Sequence, residues 1–204
     1  MTMRVGVLAS GRGSNFVALV EAQRRGELAP AEIVLLLCNK PGAAVLQRAA
    51  EFGIETVVVP HRDYPTREAF DQALVDMLRR HDIELIVLAG FMRILTPVFL
   101  SAFPGRVINL HPALLPAFPG TDGIGDALRY GVKVTGVTVH FVDPGVDTGP
   151  ILLQEALAIG EGESHESLEE RIHALEHRLL PRAVRLVAAG KTRIEGRNVI
   201  ITME

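Results

Sequence analysis

Five short runs in the first half of the chain are apolar on both faces, with helical patterns between them, and no other feature restricts the fold so strongly. The runs are RVGVLA at 4–9, EIVLLLC at 32–38, ETVVV at 55–59, ELIVLA at 84–89 and RVINL at 106–110. NFVALVEAQRR at 15–25, AAVLQRAAEF at 43–52 and TREAFDQALVDMLRRH at 66–81 repeat their apolar residues at helical spacing. A strand without a polar face must be covered on both sides. The alternation therefore predicts an α/β, Rossmann-like open sheet, mainly parallel, with helices on both faces. After residue 131 the pattern changes: VKVTGVTVHFV at 132–142 alternates, and ILLQEALAI at 151–159 follows a Gly/Pro turn. These read as antiparallel additions in the C-terminal third. Ser167 with Glu170 three residues on reads as a capping box, opening a helix with Leu168, Ile172, Leu175 and Leu179 on one face. Pro181 is expected to kink or restart that helix, and TRIEGRNVIIT at 192–202 reads as a hairpin.

A length of 204 residues favours one domain over 1–204. With 21 Lys+Arg against 24 Asp+Glu the net charge is -3, so no basic field exists for long nucleic acid and an anionic ligand must be gripped locally. Apolar runs such as VLLL at 34–37 are too short for a membrane span. MTMRVGVLAS lacks the parts of a secretory signal and Cys38 has no cysteine to pair with, so the expected compartment is the cytoplasm. The histidines show no H-E-x-x-H spacing and a lone cysteine excludes a thiolate cluster, so no metal is expected. His61, His81, His165, His173 and His177 are read as surface or packing residues.

ASGRGSN at 9–15 joins the first strand to the first helix, where backbone amides and the positive end of the helix favour an anion. A dinucleotide site would want a glycine where Phe16 stands and an acid where the second strand ends in Cys38-Asn39. A phosphate monoester fits better than NAD, and a tight turn without a ligand is the alternative. In VINLHPALLPAFPG at 107–120, Asn109 and His111 lie two apart, so they share one face of a strand at its carboxyl end. An amide and an imidazole there can form an oxyanion hole, backed by Pro112, Pro116 and Pro119. They can equally tie down a loop. DPGVDTGPI at 143–151 supplies Asp143 and Asp147; a carboxylate beside His111 would favour its charged form, whereas an Asp-Gly turn needs no such role.

ASGRGSN, LAGFMRIL at 88–95, INLHPALLPAFPG and DTGPI, in this order and at these intervals, resemble the phosphoribosylglycinamide formyltransferases. The likeness spans essentially the whole chain. It implies transfer of a formyl group from 10-formyltetrahydrofolate to the amino group of 5-phosphoribosylglycinamide in purine (IMP) biosynthesis, without a metal. By the same likeness Asn109, His111 and Asp147 are catalytic, and Gly13, Ser14, Asn15 and Glu176 hold the phosphoribosyl substrate. Arg67, Met92, Arg93, Ile94, Leu95 and Asp143 are implied for the folate. LAGFMRIL on its own could be a buried strand with an apolar turn.

GTDGIGDAL at 120–128 departs from the family pattern, which leads one to expect a histidine-containing run there, and implies a mobile or differently hydrogen-bonded edge. A methionyl-tRNA formyltransferase would be expected to carry a further C-terminal domain, and a formyltetrahydrofolate hydrolase an N-terminal one. A non-catalytic nucleotide-phosphate binding module would not need Asn109, His111 and Asp147 together. Small molecules are the expected partners, and an apolar edge strand is compatible with a homodimer.

Overall fold

In the computed structural model, which describes residues 2–202, the apolar runs are strands. These are β1 (Met3–Ala9), β2 (Ala31–Cys38), β3 (Glu55–Val58), β4 (Leu85–Leu88), β5 (Val107–His111), β6 (Val134–Phe141) and β7 (Ile151–Ala158). They form one sheet in the order β3-β2-β1-β4-β5-β6-β7. Pairing is parallel from β3 to β5 and antiparallel from β5 to β7. The expected Rossmann-like sheet with antiparallel additions is the one observed. The helices are α1 (Ser14–Arg24), α2 (Ala44–Phe52), α3 (Arg67–Arg80), α4 (Pro97–Ala102), α5 (Gly123–Tyr130) and α6 (His165–Ala188). The terminal hairpin pairs β8 (Thr192–Glu195) with β9 (Asn198–Ile201).

Alternate residues of each inner strand feed opposite cores, which is why those strands carry no polar face. Val5, Val7, Leu85 and Val87 pack with Phe16 and Leu19 of α1, Val45 of α2 and Leu168, Ile172 and Leu179 of α6. Leu8, Ile86 and Leu88 pack on the other side with Phe70, Leu74 and Leu78 of α3 and Phe99 of α4. Burying each such side chain is worth about 1.5–3 kcal/mol. β1 lies between β2 and β4, so the chain leaves it first towards one edge and then towards the other. At that switch point the loops after β1 and β4 diverge and open a crevice beyond the strand ends.

Two local expectations are corrected. The cap of α6 is Ser164, whose side chain accepts from the Ser167 amide at 3.2 Å. Ser167 lies inside the helix and donates its hydroxyl to Glu163 at 2.9 Å. Capping is decided by which Ser sits before the first helical turn: Ser167 matches the S-x-x-E pattern but already lies inside the helix, whereas Ser164 caps without an acid at the third position. Pro181 does not restart the helix: α6 continues through it to Ala188. The missing donor costs roughly 3 kcal/mol; burial of Leu179, Leu180, Ala183 and Val184 on the same helix outweighs it. The 120–128 segment carries hydrogen bonds of its own, the second of the two readings given for it. Asp122 caps α5 by accepting from the Gly125 amide at 3.1 Å and pairs with Arg129 at 2.8 Å.

Candidate active site

The crevice is a cavity of about 670 Å³ bounded by the loops after β1 and β4, the end of β5, the 143–147 loop and one face of α6. At one end lie Gly13, Ser14 and Asn15, opening α1. Gly13 has φ +78°, and a Cβ there would collide with the Val45 side chain of α2, so only glycine lets α1 start this close to α2. Glu176 reaches in from α6 and is buried, accepting from Asn15 Nδ2 at 3.0 Å. Burial pushes its carboxyl up to about 7, against the Asn15 bond, with the Glu169 charge adding to the rise. His173, expected to be a surface or packing residue, also lines this end and stacks on His177. Helical spacing brings it to the face that carries Glu176, three residues on.

Away from this cluster the lining is made by Met92, Arg93, Ile94 and Leu95 and by Val142, Asp143 and Val146. Met92 and Ile94 are 62% and 55% exposed, an apolar shelf open to the cavity. Asp143 accepts from the Gly145 amide at 3.0 Å and the Thr148 hydroxyl at 2.6 Å, which shapes the 143–148 turn. Arg67 is not among the residues lining the cavity. Helix α3 runs behind the wall, and the guanidinium donates to the Ile94 carbonyl at 2.8 Å from there.

The structure brings Asn109, His111 and Asp147 together. β5 carries the first two on one face, and the 142–150 loop folds back over β5 to deliver the third. Gly149 permits that reversal, since a Cβ would overlap the Phe141 carbonyl. Asp147 has φ +54°, a left-handed conformation uncommon outside glycine. Its Oδ2 accepts from the Gly120 amide at 2.8 Å and lies 3.5 Å from His111 Nδ1. Its Oδ1 lies 3.4 Å from Asn109 Nδ2 and 3.6 Å from His140 Nε2. Burial alone would raise this carboxyl. The His140 contact, the Gly120 amide and the two imidazoles outweigh it, so Asp147 titrates below the usual range and is a carboxylate at neutral pH.

Chemistry fixes the donors. A carbonyl oxygen only accepts, so His111 Nε2–H donates to Phe118 O at 2.7 Å and His140 Nδ1–H donates to Phe141 O at 2.9 Å. With the ring neutral, His140 Nε2 accepts from Asn109 Nδ2 at 3.3 Å; with the ring charged, its Nε2–H points at Asp147 Oδ1, 3.6 Å away, and that is the contact that lowers the carboxyl. The amide nitrogen of Asn109 must face Asp147, because the reverse orientation would set oxygen against carboxylate. His140 was missed in the sequence, where it is one position in an alternating strand. Only the antiparallel register, which sets His140 opposite Asn109, brings it to the site.

Residues 3–184 match the Formyl transferase family. The chain is 48% identical to the phosphoribosylglycinamide formyltransferase of Bacillus subtilis, over 88% of this chain and 91% of that one. The chain belongs to the phosphoribosylglycinamide formyltransferases. Its fold superposes on the glycinamide ribonucleotide transformylase 1 of Symbiobacterium toebii with a TM-score of 0.96 at 44% identity, covering 99% of this chain and 95% of the other. It is also 50% identical to part of the trifunctional purine biosynthetic protein adenosine-3 of Chironomus tentans, of whose length it spans 14%. Among the described residues of this formyltransferase no group of histidine, cysteine and carboxylate side chains is placed to hold a metal ion, and no helix is long and apolar enough to cross a membrane.

Proposed function

We propose that this chain, as one catalytic domain over 1–204, transfers the formyl group of 10-formyltetrahydrofolate to the amino group of 5-phosphoribosylglycinamide. The meeting of Asn109, His111 and Asp147 in one cavity with the glycine loop and the 92–95 segment carries the reading. The amides of Gly13, Ser14 and Asn15 suit a phosphate monoester at the helix start. Glu176 with Asn15 suits the ribose hydroxyls or the glycinamide. The shelf of Met92, Ile94 and Leu95, with Arg93 and Asp143 at its margins, suits the flat ring of the folate.

Attack by the neutral amine forms a C–N bond and leaves negative charge on the formyl oxygen. His111 turns its Nε2–H from Phe118 O to that oxygen, and Asn109 turns an amide hydrogen the same way. Asp147, a carboxylate 3.5 Å from His111 Nδ1, accepts the proton the amine must lose. The proton ends on the folate nitrogen as its bond to the formyl carbon breaks, so one N–H and one C–N bond are exchanged for another pair. Preorganised donors of this kind contribute about 2.7–4 kcal/mol each. Asn109→Ala and His111→Ala are therefore expected to lose at least about a hundredfold in kcat with unchanged circular dichroism. The deciding assay follows the folate absorbance with and without phosphoribosylglycinamide. Deformylation only with the amine supports the transferase, whereas equal deformylation in water alone would make the protein a hydrolase.

A further inference from the structure

The backbone of the 92–96 wall is gripped at alternate residues by polar groups that lie outside the cavity. The Met92 amide donates to Ser10 Oγ at 2.9 Å. The Ser10 hydroxyl donates in turn to Asn39 Oδ1 at 2.6 Å, and Asn39 Nδ2 lies 3.2 Å from His61 Nδ1. The Ile94 carbonyl accepts from Arg67, and the Thr96 amide donates to Asp71 Oδ2 at 2.6 Å. Ser10, Asn39 and Asp71 are all buried. Polar groups at such depth cost stability unless they hold something. Here they hold one short segment. Asn39 occupies the place where a dinucleotide site would carry its ribose-binding acid, and its side chain is spent on Ser10 instead.

We propose that Ser10, backed by Asn39, and Asp71 form a two-point clamp that fixes the two ends of the 92–96 backbone from behind and so sets the affinity of the Met92–Ile94 shelf for the flat ring of the folate cosubstrate. The proposal rests on the reading of that shelf as the folate wall. None of the clamp side chains needs to touch the ligand; they are positioning residues. Fixing the wall before binding removes an ordering cost that the ligand would otherwise bear. Because the clamp acts on this wall and not on the phosphate end, its loss should separate the two substrates.

The test measures both KM values and kcat for Ser10→Ala and Asp71→Ala, with Ser10→Thr and Asp71→Asn as variants that keep the hydroxyl or an acceptor oxygen. Binding of 5-formyltetrahydrofolate, which carries the same ring, is measured in parallel by calorimetry. The expected result is a roughly fivefold to twentyfold rise in folate KM and in the calorimetric Kd for each alanine variant, with kcat within about threefold and phosphoribosylglycinamide KM within about twofold. The conservative variants should recover most of the loss. Ser10→Ala removes one hydroxyl and little volume, so it tests the clamp even if Asp71→Ala fails to fold. Unchanged folate affinity in folded Ser10→Ala overturns the clamp, as does an equal rise in both KM values. Wild-type protein that binds 5-formyltetrahydrofolate but transfers no formyl group from 10-formyltetrahydrofolate overturns the proposed reaction instead, while the binding arm still decides the clamp.

Discussion

Glu176→Gln will stabilise the protein in alkali and leave it unchanged in acid. The Glu176 carboxyl is buried, and its hydrogen bond to Asn15 Nδ2 at 3.0 Å does not make up for the loss of water. The group titrates near 7 in the native protein against 4.5 for a free glutamate. The folded state therefore holds this proton more tightly than the unfolded state does. Stability from the neutral carboxyl is complete below about pH 4.5 and is lost as pH rises towards 7. A displacement of that size is worth about 3 kcal/mol once both states are ionised. Glutamine keeps an oxygen for Asn15 and cannot ionise, so it escapes the loss. Urea unfolding of both proteins at pH 4, 6 and 8 should give a difference near zero in acid and about 3 kcal/mol in favour of glutamine at pH 8. A difference that does not change with pH, or one that favours glutamate increasingly as pH rises, would refute the burial argument.

Two other substitutions follow from particular contacts. His140→Phe removes the acceptor that orients the Asn109 amide, and kcat is expected to fall about tenfold to a hundredfold with both KM values within about threefold; wild-type kcat in the folded variant would show that Asn109 needs no such support. Ser164→Ala is expected to cost about 1 kcal/mol in thermal or urea unfolding by uncapping α6, with Ser167→Ala costing clearly less. The reverse ranking would restore Ser167 as the cap.

Much of this architecture is legible in the sequence because period and coverage are local properties. Runs such as VGVLA and IVLLLC announce strands buried on both faces, and the alternation of VKVTGVTVHFV announces the change to antiparallel pairing. Asn109 and His111 are legible as a pair because residues two apart on one strand share a face. His140 is not, since its neighbour across the sheet depends on a register set by the whole packing of β5 against β6. The same limit hides the clamp. Ser10, Asn39 and Asp71 come from different stretches of the chain, and each alone is a single polar residue. Helices α4 and α5 are short, open at Pro97 and Gly123, and carry too few turns for a period to stand out.

The hydrogen bonds around the central trio bear on how a formyl oxygen could enter. Asn109 is held by contacts of 3.3 and 3.4 Å, at the weak limit, so its amide is aimed yet easily diverted. His111 is different: its 2.7 Å bond to Phe118 O is strong, and an incoming oxyanion must displace that carbonyl. Pro119 follows Phe118 and locks its own φ, so the Phe118 carbonyl cannot flip away by itself and the imidazole must do the turning. The exchange gives up a neutral acceptor for a charged one. A hydrogen bond between neutral groups is worth about 0.5–1.5 kcal/mol and one to a charged group about 1.5–3 kcal/mol. The neutral formyl oxygen of the bound substrate therefore gains nothing over Phe118 O, and only the oxygen that has acquired negative charge draws the donor across. A contact made on those terms favours the transition state over the ground state.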